Sequence, residues 1–191
     1  FTIEGGAGDD VLTSSFGNDT LIGGDGSDTF EGNAGDDTIF GGEGADVSVF
    51  NGPTAAYQFS VSSDGRLILS GTDGTDTLDG VETLRFTDGD IQVAKDEITG
   101  RYTLTGGFNT DTITIDPTSA DSFRIYGGTG DDIITGSLGN DTLWGDAGND
   151  LLIGNSGNDT IYGGGGSGID IALFNGPAAS YQFSVSSGGH L

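Results

Sequence analysis

Residues 5–13 read GGAGDDVLT, 14–22 SSFGNDTLI, 23–31 GGDGSDTFE, 32–40 GNAGDDTIF and 41–49 GGEGADVSV. The sixth place of each nonapeptide is aspartate: Asp10, Asp19, Asp28, Asp37 and Asp46. The eighth is apolar in Leu12, Leu21, Phe30 and Ile39, and then Ser48 takes it. The phase returns over 127–162 as GGTGDDIIT, GSLGNDTLW, GDAGNDLLI and GNSGNDTIY, with Asp132, Asp141, Asp150 and Asp159 in sixth place and Ile134, Leu143, Leu152 and Ile161 in eighth. A fifth copy leads through Gly163–Gly168 to Asp170 with two extra residues. Self-similarity at a fixed short period marks a solenoid, in which each unit buries its apolar face only by stacking on its neighbours.

The nine places divide by chemistry. Glycine in places one, two and four permits positive φ, so the chain can turn tightly with its carbonyls pointing inward. Gly6, Gly8, Gly24, Gly26, Gly42, Gly44, Gly128 and Gly130 are the candidates for such carbonyls. Places seven to nine make a three-residue strand whose middle side chain faces one side. Two nonapeptides then form one coil, turn, strand, turn, strand, with eighth-place residues meeting in a narrow core. Turns eighteen residues apart stack along each edge. Asp10, Asp28 and Asp46 line one edge and Asp19 and Asp37 the other.

That stacking creates an electrostatic problem. The chain of 191 residues holds 30 acidic and 5 basic side chains, a formal charge of -25, with 38 glycines and 33% apolar residues. Two carboxylates about 5 Å apart repel by about 3 kcal/mol at an effective dielectric near 20. A cation between each pair reverses the sign. Carboxylates and carbonyls suit a hard ion with six to eight oxygen ligands, which is Ca²⁺. Zinc or copper would want His or Cys, and the chain has one His and no Cys. The predicted pairs are Asp10/Asp28, Asp28/Asp46, Asp19/Asp37, Asp132/Asp150, Asp141/Asp159 and Asp150/Asp170, about five or six ions in all, one per pair.

Charge and hydropathy also exclude partners. Nucleic acid and anionic membrane surfaces require basic patches, and no run of 18 apolar residues exists to span a bilayer. The opening Phe1-Thr2-Ile3-Glu4-Gly5 has neither the basic nor the apolar region of a signal peptide.

These nonapeptides resemble the repeats-in-toxin family, whose signature is G-G-x-G-x-D-x-U-x. The resemblance covers about half the chain. It implies a parallel β-roll with Ca²⁺ held between turn n and turn n+2. It also implies export without a cleaved N-terminal signal, hence a secreted, extracellular or cell-surface protein. Ser14-Ser15 replaces the Gly-Gly of one turn, and Ser48 at a core place predicts the end of the first roll.

Around the repeats the reading is all-β: a first roll over 1–49, a β-hairpin-rich connector over 50–122, a second roll over 123–173 and the start of a second connector over 174–191. Tyr57–Ser63 and Arg66–Ser70 predict a hairpin around Asp64-Gly65; Val81–Phe86 and Ile91–Val93 predict further strands joined by Asp88-Gly89. Gly74-Thr75-Asp76-Thr77-Leu78 is a half-repeat, and 106–114, GGFNTDTIT, a degenerate copy. A longer period relates Phe1-Thr2-Ile3 to Phe123-Arg124-Ile125 and Tyr57–Ser63 to Tyr181–Ser187, which predicts a piece of a longer tandem protein whose neighbouring modules are its partners.

Other motifs carry less. The neighbours Asp9/Asp10, Asp36/Asp37 and Asp131/Asp132 could suggest a glycosidase acid pair, but adjacent side chains point apart and no apolar pocket raises one pKa; they read as a ligand beside a solvated acid. Gly163-x-Gly165-x-x-Gly168 matches a dinucleotide fingerprint with no helix after it. The sequons at Asn18, Asn140 and Asn158 fall out of the repeat. Asp76 reads as a turn-capping residue, with calcium ligation the alternative. Trp144 reads as a roll-surface aromatic rather than a sugar platform, and His190 has no Ser or Cys signature beside it. No catalytic residue, organic cofactor or enzymatic activity is expected. Three roles fit: a calcium-dependent folding and spacer module, an accessory module of a secreted polysaccharide- or protein-active enzyme with contacts to its substrate or a surface, or one unit of an adhesin or surface-layer array.

Overall fold

The computed structural model describes residues 1–165 and 168–177. The expectations for Tyr181–Ser187 and His190, and most of the predicted second connector, lie outside the described residues. Within them the chain is all-β, with one three-residue 3-10 turn at Thr54–Ala56. Among the described residues no helix is long and apolar enough to cross a membrane.

The first repeats give β1 (Thr2–Ala7), β2 (Val11–Thr13), β3 (Thr20–Asp25), β4 (Thr29–Glu31), β5 (Thr38–Glu43) and β6 (Val47–Val49). Long and short strands alternate, where the sequence predicts equal strands of three. The cause lies in the turns. Within β1, β3 and β5 the repeat has Gly-Gly, and parallel pairing runs on through Gly6↔Gly24 and Gly24↔Gly42. At the other edge the corresponding places hold Ser14-Ser15 and Gly32-Asn33, and the strand stops. There Asn33 turns left-handed at φ 63° and its side-chain amide donates to the Ser14 carbonyl. Parallel registers keep eighth-place residues over one another, Leu21 over Ile39 and Leu12 over Phe30. All four are buried, each contributing roughly 1.5–3 kcal/mol.

The connector gives β7 (Gln58–Val61), β8 (Leu67–Ser70), β9 (Thr75–Asp79), β10 (Thr83–Arg85), β11 (Asp90–Lys95) and β12 (Tyr102–Thr105). The expected hairpin is present as antiparallel β7 and β8. The expectation that the roll ends at Ser48 fails. β9 adds in parallel to β5 with Leu78 beside Ile39, and β10 adds in parallel to β6 with Leu84 beside Ser48. Ser48 is fully buried, and its hydroxyl has no hydrogen-bond partner. A small side chain in the core row leaves the backbone ladder intact, so the stack continues past it. Phe50, Tyr57 and Phe86 pack as a ring cluster, with centroids 5.2–5.4 Å apart.

Two antiparallel steps, β10 to β11 and β11 to β12, restore the original strand direction. β12, which the sequence reading left unassigned, then receives β14 (Arg124–Thr129) in parallel. The later repeats follow as β13 (Thr112–Thr114), β15 (Ile133–Thr135), β16 (Thr142–Ala147), β17 (Leu151–Ile153), β18 (Thr160–Gly164) and β19 (Ile171–Leu173). One sheet of nine strands therefore runs β18-β16-β14-β12-β11-β10-β6-β4-β2 through both repeat blocks. Flanking it are a six-stranded sheet, β1-β3-β5-β9-β8-β7, and a four-stranded sheet, β13-β15-β17-β19.

Candidate metal centre

Stacked sixth-place aspartates use their two carboxylate oxygens differently. Where an aspartate lies in the turn before, one oxygen accepts its backbone N–H, mostly across eighteen residues. Asp28 Oδ1 accepts from Asp10 N–H at 2.8 Å and Asp46 Oδ1 from Asp28 N–H at 2.8 Å. On the other edge Asp37 Oδ1 accepts from Asp19 N–H at 2.8 Å. In the later block Asp150 accepts from Asp132 at 2.9 Å and Asp159 from Asp141 at 3.0 Å. Asp170 accepts from Asp150 at 3.2 Å despite the two-residue insertion, although Asp170 itself is exposed. The structure thus brings together all six predicted pairs.

The second oxygen tells more. Oδ2 of Asp10, Asp28, Asp37, Asp46, Asp132 and Asp150 is buried and has no hydrogen-bond partner. A buried, unpaired carboxylate oxygen is costly unless something positive meets it. Each lies against the first-place glycine of its own repeat: a Cβ on Gly23 would come closer than 3.0 Å both to Asp28 Oδ2 and to the carbonyl of Gly41 in the next turn. The same convergence recurs at Gly127 with Asp132 and the Gly145 carbonyl, and at Gly145 with Asp150 and the Gly163 carbonyl. Each niche is therefore lined by oxygen from two successive turns.

The candidate glycines supply further oxygen. Gly6, Gly8, Gly24, Gly26, Gly42, Gly44, Gly128 and Gly130 all have φ between 101° and 140°. Carbonyls of Gly6 and Gly8 face Gly24 and Gly26, and those of Gly24 and Gly26 face Gly42 and Gly44. Gly128 and Gly130 face the carbonyls of Gly107 and Asn109. Among the described residues no three acidic or histidine side chains gather at one point. The acid comes in pairs, so a hard cation here would complete its shell with backbone carbonyls.

Burial makes these carboxylates resist ionisation. It raises the pKa of Asp37, Asp46, Asp111, Asp150 and Asp159, takes Asp132 up to about 6 and Asp76 up to about 7.

Three acids complete the ladders outside the nonapeptides read above. Asp76 Oδ1 accepts from Asp37 N–H at 2.9 Å, Glu82 Oε2 from Asp46 N–H at 2.9 Å, and Asp132 Oδ1 from Asp111 N–H at 2.8 Å. Asp76 and Asp111 were legible: residues 71–79, GTDGTDTLD, and the degenerate copy keep aspartate in sixth place. Glu82 gives no such signal. Where the second stack's edge begins, Phe123 occupies the aspartate place. Its N–H donates to Asp141 Oδ1, and the Arg101 guanidinium takes the Phe123 carbonyl at 2.6 Å and that of Asn140 at 3.2 Å.

Fifth-place side chains form a second ladder of opposite sense. Asp9 accepts from Ser27 N–H, Asn18 from Asp36 N–H, Asp36 from Thr75 N–H and Asp131 from Asn149 N–H. The acids beside each ligand position are thus hydrogen-bonded rather than merely solvated, and the sequon residues Asn18 and Asn140 are used in the same way. Trp144 stacks between Tyr126 and Tyr162, with centroids 4.3 and 5.3 Å away. Its faces are covered by its neighbours, which suits a surface ladder. Gly163 and Gly164 end a strand that pairs with β16 rather than opening a phosphate loop.

Four stretches, 2–21, 13–48, 124–152 and 135–169, match the RTX calcium-binding nonapeptide repeat. No curated protein matches the chain. Among solved structures it is similar to the extracellular lipase LipA from Serratia marcescens at 23% identity and a TM-score of 0.41, over 97% of this chain. The chain spans 35% of that lipase's length.

Proposed function

Because this chain belongs to the RTX calcium-binding nonapeptide repeat family, we propose that it is a non-enzymatic module that folds when calcium fills its turns. The observation that carries this reading is the row of buried, unpartnered Oδ2 atoms on stacked aspartates. The ligands would be the paired carboxylates of Asp10, Asp19, Asp28, Asp37, Asp46, Asp132, Asp141, Asp150, Asp159 and Asp170, with carbonyls of the turn glycines. Bound calcium supplies the positive charge that lets paired carboxylates stay ionised in a buried row. About five or six ions, one per pair, would suffice for the nonapeptide sites.

The residues themselves do the rest. Asp28, Asp37 and Asp46 each hold the turn before them by accepting its N–H, and each first-place glycine leaves room for the free oxygen. Without a cation the acid row opposes stacking, and the short strands bury too little to fold alone. Extracellular calcium sites bind at about 10⁻⁴ to 10⁻³ M, which fits a protein that crosses a calcium-poor cytoplasm unfolded and folds outside. Secretion is part of this proposal. Circular dichroism at pH 8 in chelator and in millimolar calcium tests it: β signal should appear only with calcium, and a fully folded spectrum in chelator overturns it.

A further inference from the structure

We propose that the connector builds a calcium site of its own, outside the nonapeptides, between the turn Gly41–Asp46 and the segment Asp79–Glu82. The proposal rests on the calcium reading of the repeats and extends it to residues the repeat does not cover.

Five observations converge. Asp46 is fully buried, and its Oδ2 has no hydrogen-bond partner. The Gly80 carbonyl and that same Oδ2 both come closer than 3.0 Å to the place a Cβ on Gly41 would occupy. Within the repeats that arrangement belongs to Asp28 Oδ2 and the Gly41 carbonyl around Gly23. Half-buried Glu82 takes the acid's place, its Oε2 accepting Asp46 N–H at 2.9 Å. Thr83 N–H then donates to the Asp46 carbonyl at 3.0 Å, as Val47 N–H does to that of Asp28 at 2.8 Å. Gly80, left-handed at φ 65°, faces the Gly42 backbone as Gly42 faces Gly24.

The segment achieves this with a shorter turn. Asp79 pairs with Phe40 and Thr83 with Val47, so three residues replace the six between Phe40 and Val47 on the repeat side. A chain cut short there needs a longer side chain to bring a carboxylate back to the stack. Glutamate, one methylene longer than aspartate, does that. The resulting donor set is the Asp46 and Glu82 carboxylates with the Gly80 carbonyl, hard oxygens that suit calcium. Its effect is to fasten the connector to the repeats through an ion as well as through strand pairing.

The test counts calcium on the full 191-residue chain by equilibrium dialysis against radiocalcium at saturation. Glu82→Gln keeps an oxygen acceptor for Asp46 N–H but removes the charge. It should lower the count by one ion per chain, while Glu97→Gln, at an exposed acid outside the ladders, leaves it unchanged. An equal count in Glu82→Gln and wild type overturns the site. Should Glu82→Gln lose its fold, the wild type decides: the Glu82 carboxyl ¹³C resonance should shift on calcium saturation, and an unmoved resonance overturns the site. A wild-type chain that binds no calcium would instead sink the reading of the repeats, which is a different outcome from full binding with an unchanged count.

Discussion

The backbone N–H of Asp37 donates to Oδ1 of Asp76 at 2.9 Å although 39 residues separate them, where 18 separate the partners inside the repeats. A whole hairpin has been inserted between two turns that still stack as neighbours. Asp76 therefore holds the hairpin to the roll. Asp76→Ala leaves the buried Asp37 N–H without its acceptor, at a cost of about 1–3 kcal/mol. Hydrogen exchange at Thr77, whose N–H donates to the Asp37 carbonyl at 2.8 Å, should accelerate by about tenfold or more. Unchanged protection there would show that the hairpin holds by its apolar packing alone.

Asp28 stands between two partners, accepting from Asp10 and donating to Asp46. Asp10 has only Asp28 as its ladder partner. Repeat folds are stabilised through nearest-neighbour interfaces, so a loss at the centre splits the array and a loss at the end frays it. Asp28→Ala should raise the calcium midpoint for folding of the full chain more than Asp10→Ala does, because one further charged hydrogen bond, worth about 1.5 kcal/mol, is lost. Equal midpoints by circular dichroism would count against shared sites.

Gly24 and Gly65 separate two costs of alanine. Both have positive φ, 118° and 83°. A Cβ on Gly24 would collide with the Gly6 carbonyl, whereas on Gly65 it meets only the end of Lys95 at 3.8 Å. Gly65→Ala should cost about 1–2 kcal/mol in backbone strain. Gly24→Ala should cost a further 1–3 kcal/mol, roughly, because two turns must move apart. Urea unfolding at saturating calcium checks the difference, and equal losses would mean that the turns are not in close contact.

Acid should partly replace calcium. Burial raises Asp76 from 3.8 to about 7 and Asp132 from 3.8 to about 6. A folded-state pKa above the unfolded one means the folded chain holds the proton more tightly. The resulting stability is fully present below about pH 4 and is lost as pH rises toward 6 and 7. In chelator, β signal should therefore grow as pH falls from 8 to 5. A flat signal over that range would contradict the buried placement of these acids.

Much of this was legible because one nine-residue phase fixes both the aspartate and the apolar row, and every predicted pair except Asp150/Asp170, with its two-residue insertion, lies at the spacing it sets. The connector resisted reading for a physical reason. Strand addition across 36 or 39 residues is decided by which edge is open, and no local pattern records it. Glu82 escaped notice because its shortened turn breaks the phase. Ser48 misled because a polar residue in the core row suggests an ending, whereas the ladder bonds either side of it are made by backbone. β12 is four residues of ordinary alternation, Tyr102–Thr105, whose place becomes evident only once β11 and β14 flank it.

The nine-stranded sheet also gives the molecule a fixed measure. Eight interstrand steps from β2 to β18, at about 4.8 Å each, span about 38 Å. That distance is set by counting hydrogen-bonded strands, so it does not depend on the length or suppleness of the loops between them. Residues added to the turn between Lys95 and Tyr102 would bulge outward and leave the span unaltered. The two repeat blocks are thus graduations on one ruler, and whatever each end carries is held at constant separation.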